Sequence, residues 1–257
     1  MPVRGSSLVP RLEESEAMSV EDHKRAAALK ALEYVSDGMK VGLGTGSTAD
    51  HFIRALGEAV ENGLRVIGVS TSVRTEALAR ECGIPLVDID AAGQLDLTVD
   101  GADEIDPELR LIKGGGGALL REKIVASGSS RVLIIADESK MVPRLGAFAL
   151  PVEISPFAWK TTSRRIRDSL ARFDVGNVAV ALRRHKNMSS FMTDGGHYIL
   201  DCELKSIGDP EGLAAFLDSL PGVMEHGLFI GLASGAIIGG ASGVRIVRPE
   251  GSLLPVI

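Results

Sequence analysis

The 257-residue chain carries 28 Lys and Arg against 34 Asp and Glu, with few aromatics and 30 glycines scattered along its length. The net charge of -6 leaves no basic stripe for nucleic acid, and the aliphatic, glycine-rich composition is that of a soluble α/β protein, not a disordered or disulfide-stapled one. No apolar run approaches the roughly 20 residues of a membrane span, and the two cysteines (Cys82, Cys202) and five histidines fall at no metal-ligand spacing, so reduced thiols in a cytoplasmic protein are expected.

Residues 1–17 include Leu8, Val9, Pro10 and Arg11, a protease-site-like sequence, without the charged start or apolar run of a signal peptide. They are expected to be a tag remnant ahead of a natural start at Met18. Ser19 followed by Asp22 suits a helix start, with Ala26, Leu29, Leu32 and Val35 at helical spacing. A strand at 39–43 then feeds Gly-Thr-Gly-Ser-Thr and a helix at about 49–60. A second unit follows, with a strand at 65–69, the loop Ser70, Thr71, Ser72, and a helix ending at Gly83. Further strands are predicted at 84–89, at 95–99 running into Asp100, and at 131–136 before Asp137, Glu138, Ser139 and Lys140; a helix is predicted at 118–126. Such alternation argues for a parallel sheet covered on both faces, with ligands bound beyond the carboxyl ends of its strands. The polar stretches all fall at those ends.

After residue 150 the texture changes. A strand at 152–154, an amphipathic helix at 158–171 and a strand at 175–182 are followed by an expected hairpin, 191–193 with 197–204, around Asp194, Gly195 and Gly196. Asp209 as N-cap and Pro210 at the first helical position start a helix to about residue 220. Strands at 223–231 and 244–247 are expected to rejoin the first sheet. The expected architecture is therefore a Rossmann-like, mostly parallel α/β sheet with helices on both faces, built from 18–146 and 227–257. A smaller α+β domain of ferredoxin-like type, 147–226, is inserted into it.

Chemistry concentrates in residues 99–124. Asp100, Asp103 and Glu104 lie close together, Lys113 opens a run of four glycines, and Glu122 sits at a helix start. Consecutive glycines lose much backbone entropy on folding, so the run makes sense where backbone passes close to a ligand; a flexible linker is the alternative. Upstream, residues 42–50 place a glycine-rich turn at a helix start, where backbone N–H groups suit an anion. Ser47 stands where a dinucleotide fingerprint needs its third glycine, and no Gly-Lys-Ser/Thr follows. Three hydroxyls remain, Thr45, Ser47 and Thr48, for one phosphate or, equally, for an ordinary N-cap. Among the carboxylates a calcium loop fails because Ile105 takes the glycine position, whereas spacing leaves magnesium through one or two carboxylates open. Crowded acids also raise one another's pKa; Asp106 and Glu108 read as a solvated turn. A base beside an oxyanion site is what proton abstraction next to a carbonyl needs, and Glu122 beside Lys113 and the glycine N–H groups offers both. On spacing alone a surface pairing of Glu122 with Arg121 or Lys123 is the simpler reading, and the glycine run shifts the balance.

The stretches GLGTGSTA, VDGADEID, IKGGGGALLREKI and ADESK, followed by LPVEI and PGVMEHGLFIGLA, together resemble ribose-5-phosphate isomerases of type A over nearly everything after residue 19. The resemblance implies interconversion of ribose 5-phosphate and ribulose 5-phosphate, in the non-oxidative pentose phosphate pathway, without metal or organic cofactor. It implies a homodimer or homotetramer whose partner is a small pentose phosphate. It casts Glu122 as the base that moves a proton from C2 to C1 through an enediolate. Lys113 and the N–H groups of Gly114, Gly115 and Gly116 would hold the oxyanion. Asp100, Gly101, Ala102 and Asp103 would bind the sugar, with Asp100 the partner in ring opening. Thr45, Gly46, Ser47 and Thr48 would grip the phosphate, with Lys24 and Lys140 reaching it too. Val73 and Arg74, after Ser70–Thr71–Ser72, match no assignable pattern.

Three other classes compete. A sugar-phosphate-sensing regulator would need a helix-turn-helix, for which the single N-terminal helix is too short. A coenzyme A transferase of related fold would use Glu122 as a nucleophile, but the Gly-Thr-Gly-Ser-Thr loop is small for a nucleotide. An amino-sugar phosphate deaminase lacks here a histidine beside the acids.

Overall fold

The computed structural model describes residues 19–173 and 178–248; the expected tag remnant and Met18 lie outside them, as does the start of the expected strand 175–182. Helix α1 (Val20–Leu32) opens on a capping box in which Ser19 Oγ accepts from the Asp22 N–H and the Asp22 carboxylate accepts from the Ser19 N–H, satisfying two donors that the first turn leaves bare. Two βα units follow: β1 (Lys40–Leu43) with α2 (Ser47–Glu61), then β2 (Ile67–Ser70) with α3 (Val73–Glu81) and the short α4 (Ile89–Ala92). Next come β3 (Leu97–Asp100), the two-residue strands β4 (Glu104–Ile105) and β5 (Leu111–Ile112), α5 (Leu119–Ser127) and β6 (Val132–Asp137). Then β7 (Leu150–Ile154), α6 (Trp159–Leu170), β8 (Ala179–Leu182), β9 (Tyr198–Glu203), α7 (Pro210–Asp218) and β10 (Val223–His226) run in succession. The chain returns through β11 (Leu228–Phe229), β12 (Gly235–Gly240) and β13 (Gly243–Val247).

Six strands make the main sheet, in the order β13-β12-β6-β3-β1-β2; all neighbours are parallel except the β12–β13 hairpin at one edge. Strand β6 is buried along its whole length, and its period of two splits it between two cores. Leu133 and Ile135 meet Ala27, Ala31, Phe52 and Leu56 of α1 and α2 on one face. Val132, Ile134 and Ala136 meet Leu119, Ala126 and Phe229 on the other. A four-stranded antiparallel sheet, ordered β10-β7-β9-β8, encloses a further core with α6 and α7, including Val152, Ile166, Leu200 and Leu213. Strands β11, β5 and β4 form a small third sheet between them.

Several expected elements are corrected. Residues 84–89 form no strand beyond one bridge, Gly68 to Leu86; Pro85 has no N–H to continue the ladder, and Asp88 caps α4 instead. The stretch 223–231 does not rejoin the main sheet. It breaks at Gly227, sending β10 to the four-stranded sheet and β11 to the small one. A Cβ at Gly227 would lie 2.3 Å from the Lys113 carbonyl oxygen, so only glycine passes there. The strand that enters the main sheet is β12, obscured in the sequence by Gly235, Gly239 and Gly240. The hairpin pairs β9 with β8 rather than with 191–193, although Asp194, Gly195 and Gly196 do turn the chain, with Thr193 N–H bonded to the His197 carbonyl. Asp106 is fully buried rather than solvated, accepting from the Glu108 and Arg110 N–H groups and from the Arg110 side chain.

A Cβ at Gly42, in the middle of β1, would lie 1.9 Å from Thr98 Oγ1 and 2.8 Å from Val125 Cγ1. Gly42→Ala is expected to cost about 1–3 kcal/mol by overpacking, read as a lowered urea unfolding midpoint at unchanged slope.

Candidate functional site

Beyond the carboxyl ends of β1, β3 and β6 the chain leaves a cavity of about 110 Å³. It is lined by Thr45, Gly46, Ser47, Thr48, Gly101, Ala102, Asp103, Lys113, Gly114, Gly115, Gly116, Glu122 and Lys140. A larger depression of about 430 Å³ beside β2, bordered by Arg80, Leu86 and Ile124, holds none of these residues. Convergent charge, not size, distinguishes the smaller one.

Its floor is built around Lys113, which follows β5 and is 3 % exposed. The ammonium reaches the Gly101 carbonyl at 2.5 Å, Asp100 Oδ2 at 2.9 Å and Glu122 Oε1 at 3.2 Å. All three of its N–H donors are thereby engaged, and it lies 5.6 Å from the centre of the Phe229 ring. Burial alone would lower its pKa, but Asp100 and Glu122 more than offset that and hold it above the ordinary lysine range. Asp100 ends β3 beneath Lys113 and does not border the cavity. Its Oδ1 accepts from the N–H groups of Gly101 (2.7 Å) and Thr45 (3.1 Å). Burial pushes its carboxyl up, opposed by Lys113 and those N–H groups.

Glu122, in the first turn of α5, is 3 % exposed. Burial pushes its carboxyl up to about 8, with Lys113 pulling the other way. Its Oε1 is held by Lys113, whereas Oε2 is buried with no hydrogen-bond partner. One free carboxylate oxygen, on a residue that borders the cavity, is an oxygen poised to accept a proton.

The anion-binding character of the rim comes from α2. Its N-cap is Gly46, with φ +129 and no side chain closing the first turn, so the bare N–H groups and the positive end of a 15-residue helix face the cavity. Ser47 and Thr48 line that rim, with Lys140 across from them. The Thr45 hydroxyl points elsewhere, into a cluster with Thr71 (2.8 Å), Ser72 (2.8 Å) and Thr75 (3.0 Å) that ties β1 to α3. Lys24 does not border the cavity. Its ammonium pairs with Glu21 at 3.2 Å, and Glu21 also holds His51 of α2 at 2.7 Å.

Of the neighbouring acids, Asp103 lines the cavity and accepts from the Gly115 N–H at 2.8 Å. Glu104 turns away, accepting from the N–H groups of Gly146 (2.7 Å) and Phe148 (2.6 Å). A shared cation between Asp100 and Asp103 meets the Lys113 ammonium already seated there. Elsewhere among the described residues Asp218, Glu225 and His226 approach ligand geometry, but the Lys123 ammonium contacts Glu225 and supplies that positive charge itself. The sequence did not single out Arg183, whose guanidinium reaches the glycine loop from the far side, or Phe229 and Thr75, and it marked Asp194 only as part of a turn. No local spacing announces them, since each arrives from a distant part of the chain.

A family model described as ribose 5-phosphate isomerase A (phosphoriboisomerase A) matches residues 67–243. A ribose-5-phosphate isomerase A of Bradyrhizobium diazoefficiens is 55% identical over 240 residues, 91% of this chain and 100% of its own. One from Rhodopseudomonas palustris is 56% identical over 231 residues, covering 90% and 99%. Among solved structures, a D-ribose-5-phosphate isomerase in complex with phospho-erythronic acid superposes with a TM-score of 0.84 at 39% identity, covering 90% of this chain and 100% of that one. The ribose 5-phosphate isomerase of Plasmodium falciparum gives a TM-score of 0.84 at 35% identity, covering 90% and 99%.

The folded protein holds the Glu122 proton up to about 8, whereas the ordinary value is 4.5. Between those values the folded state binds more protons than the unfolded, so this contribution to stability is complete at low pH and is lost as pH rises through the folded value. Urea titrations of wild type and Glu122→Gln across that interval are expected to converge on the acid side. On the alkaline side the variant should be the more stable relative to wild type.

Proposed function

The chain belongs to the ribose 5-phosphate isomerase A family, and on that premise we infer that it interconverts ribose 5-phosphate and ribulose 5-phosphate with Glu122 as the catalytic base. The observation that carries the base assignment is the unpartnered, buried Glu122 Oε2 beside the Lys113 ammonium. In this reading the open-chain aldose lies with its phosphate at the N-terminus of α2, against Ser47, Thr48 and Lys140, and its C1–C2 end over Glu122. The carboxylate takes the proton from C2, leaving an enediolate with negative charge on O1 and O2. The hydroxyl proton passes from O2 to O1, and Glu122 returns its proton to C1, which yields the ketose. Lys113 keeps one positive charge beneath the developing oxyanion, the N–H groups of the glycine loop face its oxygens, and Asp103 orients the sugar hydroxyls. Asp100, which does not border the cavity, acts in this reading through Lys113, which it holds in place.

Two further observations support this reading. The relative solved with phospho-erythronic acid holds a four-carbon phosphorylated acid, whose carboxylate resembles the paired oxygens of an enediolate. The site also supplies the two things such a ligand needs, an uncapped helix N-terminus for one anion and a buried ammonium for the other. The strand–helix–strand–strand–helix–strand succession from β7 to β10, with order β10-β7-β9-β8, supports reading residues 147–226 as an inserted unit of ferredoxin-like type. We further propose a homodimer or dimer of dimers, to be checked by sedimentation equilibrium.

A direct assay of ribulose 5-phosphate formation tests the activity. Glu122→Gln should lower kcat by about 10²- to 10⁴-fold and abolish exchange of the C2 proton with solvent while substrate still binds; retained exchange would remove Glu122 from the role of base. Because the base must be ionised, kcat/KM should climb as pH rises through about 8 rather than level off in the ordinary carboxylate range. A chelator should leave turnover unchanged, and a loss reversed by magnesium would return Asp100 and Asp103 to cation binding.

A further inference from the structure

An oxyanion site made of glycine N–H groups has a built-in weakness. Glycine explores more backbone conformations than any other residue. Within the run from Gly114 to Gly117 one bond forms, from the Gly117 N–H to the Gly114 carbonyl at 3.0 Å, and it leaves the peptide planes around Gly115 and Gly116 unheld from within. Something outside the run must fix them, because preorganised donors are worth most when they need not reorient during reaction. The need is sharper here because the three Lys113 donors are already engaged by Gly101, Asp100 and Glu122.

The fixing group is Arg183, which directly follows β8 in the four-stranded sheet. Its Nη1 donates to the Gly114 carbonyl at 2.7 Å and to the Gly115 carbonyl at 3.2 Å. The other side of the guanidinium is clamped in a fork by Asp201 of β9, with Nε 2.9 Å from Oδ2 and Nη2 against Oδ1. The Phe191 ring lies 5.8 Å from its Cζ and fills the space beside Gly117, where a Cβ would come within 2.5 Å of it. The described peptide bonds are trans, so each carbonyl points opposite to the N–H of the next residue. Drawing the Gly114 and Gly115 carbonyls toward Arg183 therefore turns the N–H groups of Gly115 and Gly116 the other way. The first meets Asp103 at 2.8 Å. The second has no partner among the described residues, and Gly116 borders the cavity.

We propose that Arg183 is a positioning residue for the isomerisation: it holds the Gly114 and Gly115 carbonyls so that the Gly115 N–H stays on Asp103 and the unpartnered Gly116 N–H stays aimed at the enediolate oxygens. The proposal rests on the isomerase reading given above. The planar fork matters, since one guanidinium serves two carbonyls and a carboxylate together, which a lysine ammonium does not reproduce. The role belongs to the enediolate and the transition states that flank it, because charge on those oxygens develops there and is absent from the bound aldose.

The test compares wild type, Arg183→Ala and Arg183→Lys for kcat, KM, affinity for phospho-erythronic acid and thermal unfolding. For Arg183→Ala, kcat should fall by about 10²-fold, the scale of one lost oxyanion donor, with KM nearly unchanged. Affinity for phospho-erythronic acid should fall with it, and millimolar guanidinium should restore part of the lost kcat. Guanidinium should restore nothing to Glu122→Gln. Arg183→Lys should fall between wild type and alanine without rescue. The proposal is overturned if Arg183→Ala keeps wild-type kcat, or if its loss of kcat leaves phospho-erythronic acid affinity intact and guanidinium without effect. If the alanine variant does not fold, Arg183→Lys decides by the same measures, and wild-type kcat there also overturns the proposal. Absence of isomerisation in wild type itself would sink the activity reading, an outcome distinct from a wild-type-like Arg183 variant in an active enzyme.

Discussion

The interaction on which the rest of the site depends is the buried ammonium of Lys113 between two buried carboxylates. Removing three charges from water is expensive, and the arrangement persists only because each finds a partner at close range. The trio is left with one more negative charge than positive, and burial pushes both carboxyls up, that of Glu122 to about 8; of the two, Glu122 is the one that borders the cavity. A carboxylic acid that ionises late, with one oxygen unbonded, is a stronger base once ionised than any solvated glutamate. The strain of burying the cluster thus becomes basicity at one oxygen.

The scaffold serves this cluster by bringing backbone where side chains cannot go. Gly44 lies so close to Asp100 that a Cβ would stand 2.1 Å from Oδ1, and Gly227 passes as close to the Lys113 carbonyl. The Lys113 N–H is bonded to the Gly227 carbonyl at 2.9 Å, and the Gly227 N–H to the Pro151 carbonyl at 2.8 Å. That ladder locks the small sheet to the four-stranded one behind the ammonium. Asp194, in the turn after Phe191, accepts from the Val73 N–H at 2.8 Å and so anchors the same region to the start of α3. Val73, which no sequence pattern explained, supplies a backbone donor rather than a side chain.

What was legible in the sequence is what local chemistry determines. The capping box at Ser19 and the Asp209–Pro210 helix start are decided within four residues and stand in the structure as read. Strand–helix alternation puts the Gly-Thr-Gly-Ser-Thr turn, the Asp103 loop and Lys140 at one edge of the sheet, and all three border one cavity. The Ser70–Thr71–Ser72 loop, placed there by the same argument, does not border it, and only the resemblance places the glycine run. Signals spread over distance were not legible. Strand β12 carries three glycines and reads as loop until β6 and β13 flank it. Strands β4 and β5 are too short for any periodicity. Asp106 has the composition of an exposed turn, and only the return of Arg110 across it makes it a buried acceptor. Arg183 contacts a loop 69 residues away, one arginine among many in the sequence.

Strand order in the main sheet bears on how the molecule is made. Strand β6 is buried on every residue, yet its neighbour β12 is drawn from near the end of the chain. On a ribosome β6 emerges about a hundred residues before β12, and for that interval its Val-Leu-Ile-Ile-Ala edge is an open template for another strand. The β12–β13 hairpin closes it in one step and presents outward a strand that is largely solvent-exposed and carries Arg245. Truncation within that hairpin would therefore strip away more than a peripheral ribbon: it would leave the most apolar strand of the sheet as its edge, with aggregation competing against folding.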